Sequence, residues 1–529
     1  MPVSTTVLGF VMALYLAVVV YLTWYGYKRT LRAEDYMVCG RRISSYVLAI
    51  SYGATFISTS AIVGFGGVAG LLGMGLLWLT FLNIFVGIFI AFALFGPRTR
   101  KMGKNLGAMS FPELLGKRFN SRFIQAFSGA IIFLFMPLYA GIVIIGAARF
   151  LEVTLSVDYN LALLVFVIII AAYVVVGGLI TVMYTDAFQG TIMFVSMLIL
   201  LALTYAKLGG VTEAHQALTA MSNLVPESLR AGGMTGWTSF PVFGSPIWWT
   251  LVSTLILGVG IGVLAQPQLA VRFITARSSS SLYRAMVVGG IFIFMMTGVA
   301  FLVGALSNVY FYQNYGKIAV EMAGGNIDLI IPTYINDAMP DFFVVIFMLT
   351  LIAAAMSTLS SQFHVMGTSL GYDFYKGIVS KFTQEKTVLL TRIGIVITIT
   401  VSVILAYILP VSIIARATAI FFGLCAAAFL PMYIGALFWR RMTRAGAIAS
   451  LVSGTILSLF WLVFVHVKES SALGICEFLF GKPSLLSGTW QFVDPILVAF
   501  PIAFVIGVVV SLLTNPPDEG HLEKCFKGV

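Results

Sequence analysis

The chain has 529 residues, of which 60% are hydrophobic and only 10% charged, with a mean hydropathy of +1.02. Soluble globular chains carry roughly 25% charged and about 45–50% apolar residues, so a soluble enzyme, a disulfide scaffold and a disordered chain are excluded. The net charge of +11, from 31 Lys and Arg against 20 Asp and Glu, fits the positive-inside bias of a membrane protein better than nucleic-acid binding.

The apolar residues lie in charge-free runs of about 20, the length a helix needs to cross a bilayer. Thirteen spans are predicted, over residues 7–27, 43–72, 76–95, 123–153, 161–176, 179–207, 247–271, 282–311, 342–370, 393–409, 411–439, 447–467 and 496–513. The first is not a signal peptide: residues 1–6 carry no positive charge, and Lys28, Arg29 and Arg32 follow the run. With the N-terminus outside, 24 of the 31 Lys and Arg fall in inner loops, among them Arg118, Arg272, Lys376 and Lys381. Six lie outside (Arg149, Lys207, Arg230, Lys317, Lys468 and Lys482), and Arg416 is within a span. That four-to-one ratio sets the expected orientation in the plasma membrane, and the odd span count puts the C-terminus in the cytosol. Cys39 and Cys525 then face the cytosol, Cys425 lies in a span and Cys476 outside, so no disulfide is expected. The loops 208–246 and 312–341 carry short helical patterns that either cap an external entrance or simply connect.

Two spans are interrupted. Span two contains Ser51-Tyr52-Gly53-Ala54-Thr55-Phe56-Ile57-Ser58-Thr59-Ser60, and span seven contains Gly258-Val259-Gly260-Ile261-Gly262 and then Gln266-Pro267. Each opens a block of five spans of opposite orientation. Paired broken helices in corresponding positions point to a transporter's central site, although Gly and Pro also serve helix packing in lipid. The expected division is an extra helix and loop (1–42), a first inverted repeat (43–207), an external loop (208–246), a second repeat (247–440), and two extra helices with a tail (441–529).

Few residues carry chemistry. Asp186 in span six costs at least ~2.5–3.5 kcal/mol at membrane depth. No Lys or Arg is expected in the inner half of any span, which leaves a bound cation, protonation, or a cap at the helix start as the remedy. Span nine holds Ser357, Thr358, Ser360 and Ser361, with Ser357, Ser360 and Ser361 on one face. Such oxygens suit a hard cation such as Na⁺, or else back-bond to the preceding turn. Arg149 and Arg416 either grip a carboxylate or snorkel to the surface. Tyr139 and Asn83 either line a cavity or satisfy themselves, and His364 has no metal-type spacing. There is no Walker loop, HExxH or nucleophile elbow, so neither ATP drive nor an enzyme is expected.

At these residues the chain resembles the sodium/solute symporter family, which includes carriers for proline, pantothenate, sugars and monocarboxylates. The marks are Glu34-Asp35-Tyr36 with Gly40-Arg41-Arg42, the Ser51–Ser60 stretch, and Gly177-Gly178 with Thr185-Asp186 and Gln189. Gln266-Pro267 with Arg272-Phe273, Met356-Ser357-Thr358-Leu359-Ser360, and Arg441-Met442-Thr443-Arg444-Ala445-Gly446-Ala447 complete them. The resemblance implies an all-α polytopic membrane protein with a five-plus-five inverted repeat of the leucine-transporter type. It implies a Na⁺ site formed by the carbonyls of Ala54, Ile57 and Ala354 and the hydroxyls of Ser357 and Thr358. Asp186, Ser360 and Ser361 match a second Na⁺ site of some members, so two Na⁺ per cycle are expected.

The solute is less marked. Where proline carriers have an aromatic pair, this chain has Val259 and Val263; their acidic residue in the broken first helix is replaced by Phe56. The acid–amide pair of sugar carriers is Ser60 and Ala61 here, while Tyr139 keeps the aromatic that proline carriers use. Ser58, Thr59, Ser60, Tyr139, Gln266 and Arg149 suit a small carboxylate-bearing solute, an organic acid or amino acid. The expected function is Na⁺-coupled secondary active import by alternating access, with Na⁺ as coupling ion and neither nucleic acid nor an obligate protein partner. The alternatives are a sodium-coupled sugar or polyol symporter, a proton-coupled carrier working through Asp186, or a channel or sensor on the same scaffold.

Overall fold

A computed structural model describes residues 5–155, 157–375, 384–410 and 413–529. Lys376, Lys381 and Val411 lie outside the described residues. The described residues are helical apart from turns, connecting segments and one isolated bridge, between Ile43 and Ala276. Among the described residues, eleven helices are long and apolar enough to cross a membrane, and the pair Ser45–Phe56 and Ser60–Leu72, bent by 53°, makes a broken twelfth. One of the eleven, Tyr159–Lys207, has 49 residues, which at 1.5 Å each is more than twice a bilayer's hydrocarbon thickness. It is divided at Gly178 (φ 64°, ψ −170°), and the halves correspond to spans five and six.

Gly178 occupies a backbone region open essentially to glycine alone, and a Cβ there would stand 2.6 Å from the Tyr36 ring. Gly190, three turns further on, lets span six approach span two: its Cβ would meet Ile50 at 2.5 Å and Ala54 at 3.1 Å. The sequence thus brings the helix carrying Asp186 directly against the broken span.

The breaks have local causes. In span two, Ile57 is extended (ψ 96°), and Ser58 begins a new helix. Its carbonyl accepts from the Ala61 and Ile62 amides, and its hydroxyl accepts from the Ser60 amide at 3.1 Å. Ser-Thr-Ser side chains here compete with the helical ladder. In span seven, Pro267 lacks an N–H and disfavours helical geometry at the residue before it. Gln266 is accordingly extended (ψ 117°), and a second helix runs from Pro267 to Thr275. The two broken spans are joined at one end, where the Ile43 amide donates to the Thr275 carbonyl and the Arg277 amide to the Ile43 carbonyl, each at 3.2 Å. That end also gathers Arg41, Arg100 and Lys101 against inter-span segments and Arg118 against the end of the helix Ile414–Phe438, and is termed the basic face below.

Span nine (Asp341–Thr368) is the axis of the bundle, with every residue from Thr350 to Ser369 buried. Arg118 and Arg272, read from sequence as loop charges, are both fully buried. Arg118 donates to the Ala436 carbonyl at 3.1 Å and lies against Phe526 of the helix Glu519–Phe526. Arg272 belongs to the second half of span seven, which continues past the predicted boundary.

On the face opposite the basic one, Asp494 caps span thirteen (Ile496–Leu513) by accepting from the Ile496 amide at 3.0 Å. Its own amide donates to Ser253 of span seven at 3.0 Å. Burial raises its carboxyl from 3.8 to about 6, against the lowering effects of the Ile496 amide, His466 and Thr254; nearby Glu469 adds to the rise.

Two outcomes follow from this packing. Gly178→Ala should lower the melting temperature of the detergent-solubilised protein, by an amount reflecting about 1–3 kcal/mol of backbone strain. Gly9→Ala, within the helix Thr5–Arg29 and with a Cβ that meets nothing within 4 Å, should not lower it, the helical preference of Ala over Gly favouring a small rise. The folded state holds the Asp494 proton to higher pH than the unfolded chain does, so this group's contribution to stability is lost as pH rises from about 4 through about 6. Melting curves of Asp494→Asn should lack that component.

Candidate ion and solute site

A helix break inside a membrane leaves carbonyls that need partners. The break after Phe56 leaves the Ala54 and Thr55 carbonyls without the amides of Ser58 and Thr59. Span nine supplies replacements. The Ser357 hydroxyl stands 2.9 Å from the Ala54 carbonyl and 3.1 Å from the Ala354 carbonyl. The Thr358 hydroxyl stands 3.1 Å from the Thr55 carbonyl and 3.5 Å from that of Ala54. Four of the five expected Na⁺ ligands, Ala54, Ala354, Ser357 and Thr358, are therefore in mutual contact. Ile57, the fifth, is the extended residue at the break itself. These contacts are hydrogen bonds of 2.9–3.5 Å, and hydroxyl and carbonyl oxygens are the donor type that hard cations prefer.

One turn nearer the basic face, the expected second set also converges. Asp186 is not a helix-start cap: it lies eight residues beyond the Gly178 break and is fully buried. Ser360 points to its Oδ1 at 3.4 Å; Ser361, Ser51 and Thr55 donate to its Oδ2 at 3.4, 2.9 and 3.1 Å. Amid these oxygens sits a group the sequence reading placed elsewhere. Arg272 Nη2 forms a salt bridge with Asp186 Oδ2 at 2.8 Å, both side chains being fully buried. The same nitrogen contacts Thr55 Oγ1 and Ser361 Oγ at 2.5 Å, while Nε donates to Ser51 Oγ at 3.1 Å and Nη1 to the Gln268 carbonyl. The expectation that Asp186 lacks a basic partner is thus corrected. It failed because the helix after Pro267 runs on through Arg272, where a loop was expected. Leu269, Ala270, Val271, Phe273 and Ile274 around it are apolar, which is the sequence signal of a buried arginine. Ser51, Thr55 and Gln268 were also missed; Ser51 and Thr55 share a helical face four residues apart.

The proposed solute residues separate into groups. Ser58 and Tyr139 meet at 3.4 Å and line a cavity of about 20 Å³ with Phe56, Phe65, Asn83 and Phe422. Asn83 Oδ1 and Ser60 Oγ are buried without a hydrogen-bond partner. Thr59 turns away, donating to the Val143 carbonyl at 2.8 Å. Gln266 bonds back to the Gly262 carbonyl at 3.3 Å and accepts from Gln268 at 3.2 Å. Arg149 is engaged by Glu152 at 2.8 Å and lies over the Tyr159 ring, outside the cavity lining. Arg416 pairs with Glu469 at 2.9 Å. His364 packs on the Tyr36 ring and reaches the Tyr36 carbonyl at 3.0 Å.

If these oxygens hold Na⁺, the ion should raise the melting temperature through binding the folded state. Ser357→Ala, losing one ligand oxygen worth about 1–3 kcal/mol, should move the midpoint of that Na⁺ titration upward by about 5- to 150-fold, as read by thermal-shift assay.

Comparison with known proteins gives the family and the fold. The chain is 27% identical over 519 residues to the sodium/proline symporter of Staphylococcus aureus strain JH9, covering 96% of this chain and 92% of that protein. The protein of the same name from strain NCTC 8325 gives the same values. Among solved structures, a Na⁺-coupled sialic acid symporter in a substrate-bound outward-open state superposes with a TM-score of 0.75 at 19% identity, over 97% of this chain and 99% of that one. The architecture is that of the five-plus-five inverted repeat. The sodium:solute symporter family matches residues 36–454. The chain therefore belongs to the sodium:solute symporter family, as a multi-pass membrane protein, not an enzyme, that couples Na⁺ to the secondary active transport of a small organic solute.

Proposed function

We propose that this symporter binds Na⁺ at the cage of Ala54, Ile57, Ala354, Ser357 and Thr358, and imports a small carboxylate-bearing solute bound beside it at Ser58 and Tyr139. The carrying observation is the contact between hydroxyls of span nine and carbonyls released by the break in span two. The basic face is cytoplasmic in this reading, which puts the N-terminus outside, and residues 43–207 and 247–440 are the two repeats.

Several features favour a carboxylate over a sugar. The cavity walls are largely aromatic and aliphatic: Phe56, Phe65, Leu79, Val259, Phe301 and Phe422. Its polar groups are few, and Thr297 and Thr418 are occupied by carbonyls of their own helices. A sugar's ring of hydroxyls would go unsatisfied there, at about 1–3 kcal/mol each. A compact apolar body with one polar end is better matched. No Lys or Arg lines the cavity, so the positive charge facing the carboxylate is Na⁺ itself, which couples the two ligands. At about 20 Å³ the cavity holds about one water, and the solute enters by widening it.

A thermal-shift panel of small organic acids, amino acids and sugars, each with Na⁺ or with K⁺ at equal ionic strength, tests this. Stabilisation by one or more carboxylates in Na⁺ but not K⁺ is expected. Stabilisation by sugars alone, or equally in both salts, would contradict it.

A further inference from the structure

Among the described residues lining the cavity beside the ion cage, one polar side chain has nothing to bond. Ser58 meets Tyr139 at 3.4 Å, while Thr297 donates to the Ile293 carbonyl and Thr418 to the Ile414 carbonyl, each at 2.9 Å. Asn83, on span three, lines the same cavity and is 2% exposed. Its Oδ1 is buried without a hydrogen-bond partner, which is costly for an amide in a largely apolar wall.

Asn83 and Tyr139 reach the cavity from different sides. Span three packs against spans seven and eight, whereas span four, which carries Tyr139, packs against spans nine and eleven. The cavity therefore has two polar ends, Ser58 with Tyr139 at one and Asn83 at the other, and the apolar side chains of Phe56, Val259 and Phe422 complete its wall.

The chemistry of the second end narrows the solute. Among the described residues, no Asp, Glu or His lines the cavity. Na⁺ and a solute carboxylate neutralise one another, so a solute ammonium would be left as an uncompensated charge in a dry site. A plain acid expels the water that the cavity has room for and leaves the Asn83 amide unpaired. A hydroxyl, donor and acceptor at once, replaces that water at either end of the amide.

We propose, on the carboxylate reading given above, that Asn83 is a specificity-determining residue that bonds a hydroxyl of the solute, so that this transporter selects short-chain hydroxy monocarboxylates over plain acids and amino acids. A site that holds a solute hydroxyl discriminates strongly against the analogue without it, because its own buried polar group is then left unpaired.

Thermal-shift titration of the purified full-length protein in Na⁺ tests this with propionate, butyrate and valerate, with their hydroxy and amino derivatives, and with the corresponding amides. At least one hydroxy acid should half-saturate at a concentration about 5- to 150-fold below its plain and amino counterparts. In Asn83→Leu the hydroxy and plain acids should bind alike. Should the larger side chain block all binding, Asn83→Ala is read in the same way. Plain or amino acids binding as tightly as hydroxy acids in the wild type would overturn the proposal. So would a hydroxy preference that survives both substitutions, the amide then being merely hydrated. Hydroxy amides outbinding plain amides through Asn83, with no acid bound, would sink the carboxylate reading while upholding the role of Asn83. Silence across the whole panel would overturn both.

Discussion

A backbone that breaks inside a lipid bilayer must find partners for the groups it releases, and most of this structure is organised around that need. The break at Ile57 turns carbonyls of span two toward span nine. Span nine meets them with hydroxyls on one face and is buried along its whole central length. Hydroxyls can either donate to carbonyls or join them in ligating a cation. In the structure these hydroxyls hold the two helices together by donating to the carbonyls. Ser58, the residue that restarts the helix, also lines the cavity with Tyr139, so the break and the cavity share residues.

The second organising element is the buried pair Asp186–Arg272. It unites four elements: span two through Ser51 and Thr55, span six through Asp186, the second half of span seven through Arg272, and span nine through Ser361. It lies between the cage and the basic face. Separating it would expose two uncompensated charges, so any motion that opens the basic face has to hydrate or re-pair them. The backbone bridge between Ile43 and Ala276 ties the ends of the two broken spans at that same face, so they are held as a unit there.

Much of this was legible in the sequence. Membrane length, the two broken spans, the hydroxyl face of span nine and the buried Asp186 are each written in short local patterns. Tyr139 and Ser58 were also recognisable, and they meet. What was not legible was three-dimensional partnership. Arg272 counts as a loop charge as long as span seven is taken to end at Val271; only the helix restarted by Pro267 carries it inward. Arg149 looked equally suited to a carboxylate, yet Glu152 and Tyr159 already hold it. Thr59 and Gln266 are polar residues in broken helices whose side chains are committed to nearby carbonyls, and a linear pattern does not show which way a side chain turns. Gly178 illustrates the opposite case: the Gly-Gly pair is visible, and the structure supplies its reason in the Tyr36 ring packed against it.

The central claim is that Na⁺ binds between the break in span two and the facing segment of span nine. Hydrogen–deuterium exchange of the purified protein in Na⁺ and in K⁺ at equal ionic strength reads this directly. Slower exchange in Na⁺, confined to the amides around residues 57–61 and the facing part of span nine, is the expected result. Identical exchange in the two salts at those segments would contradict it.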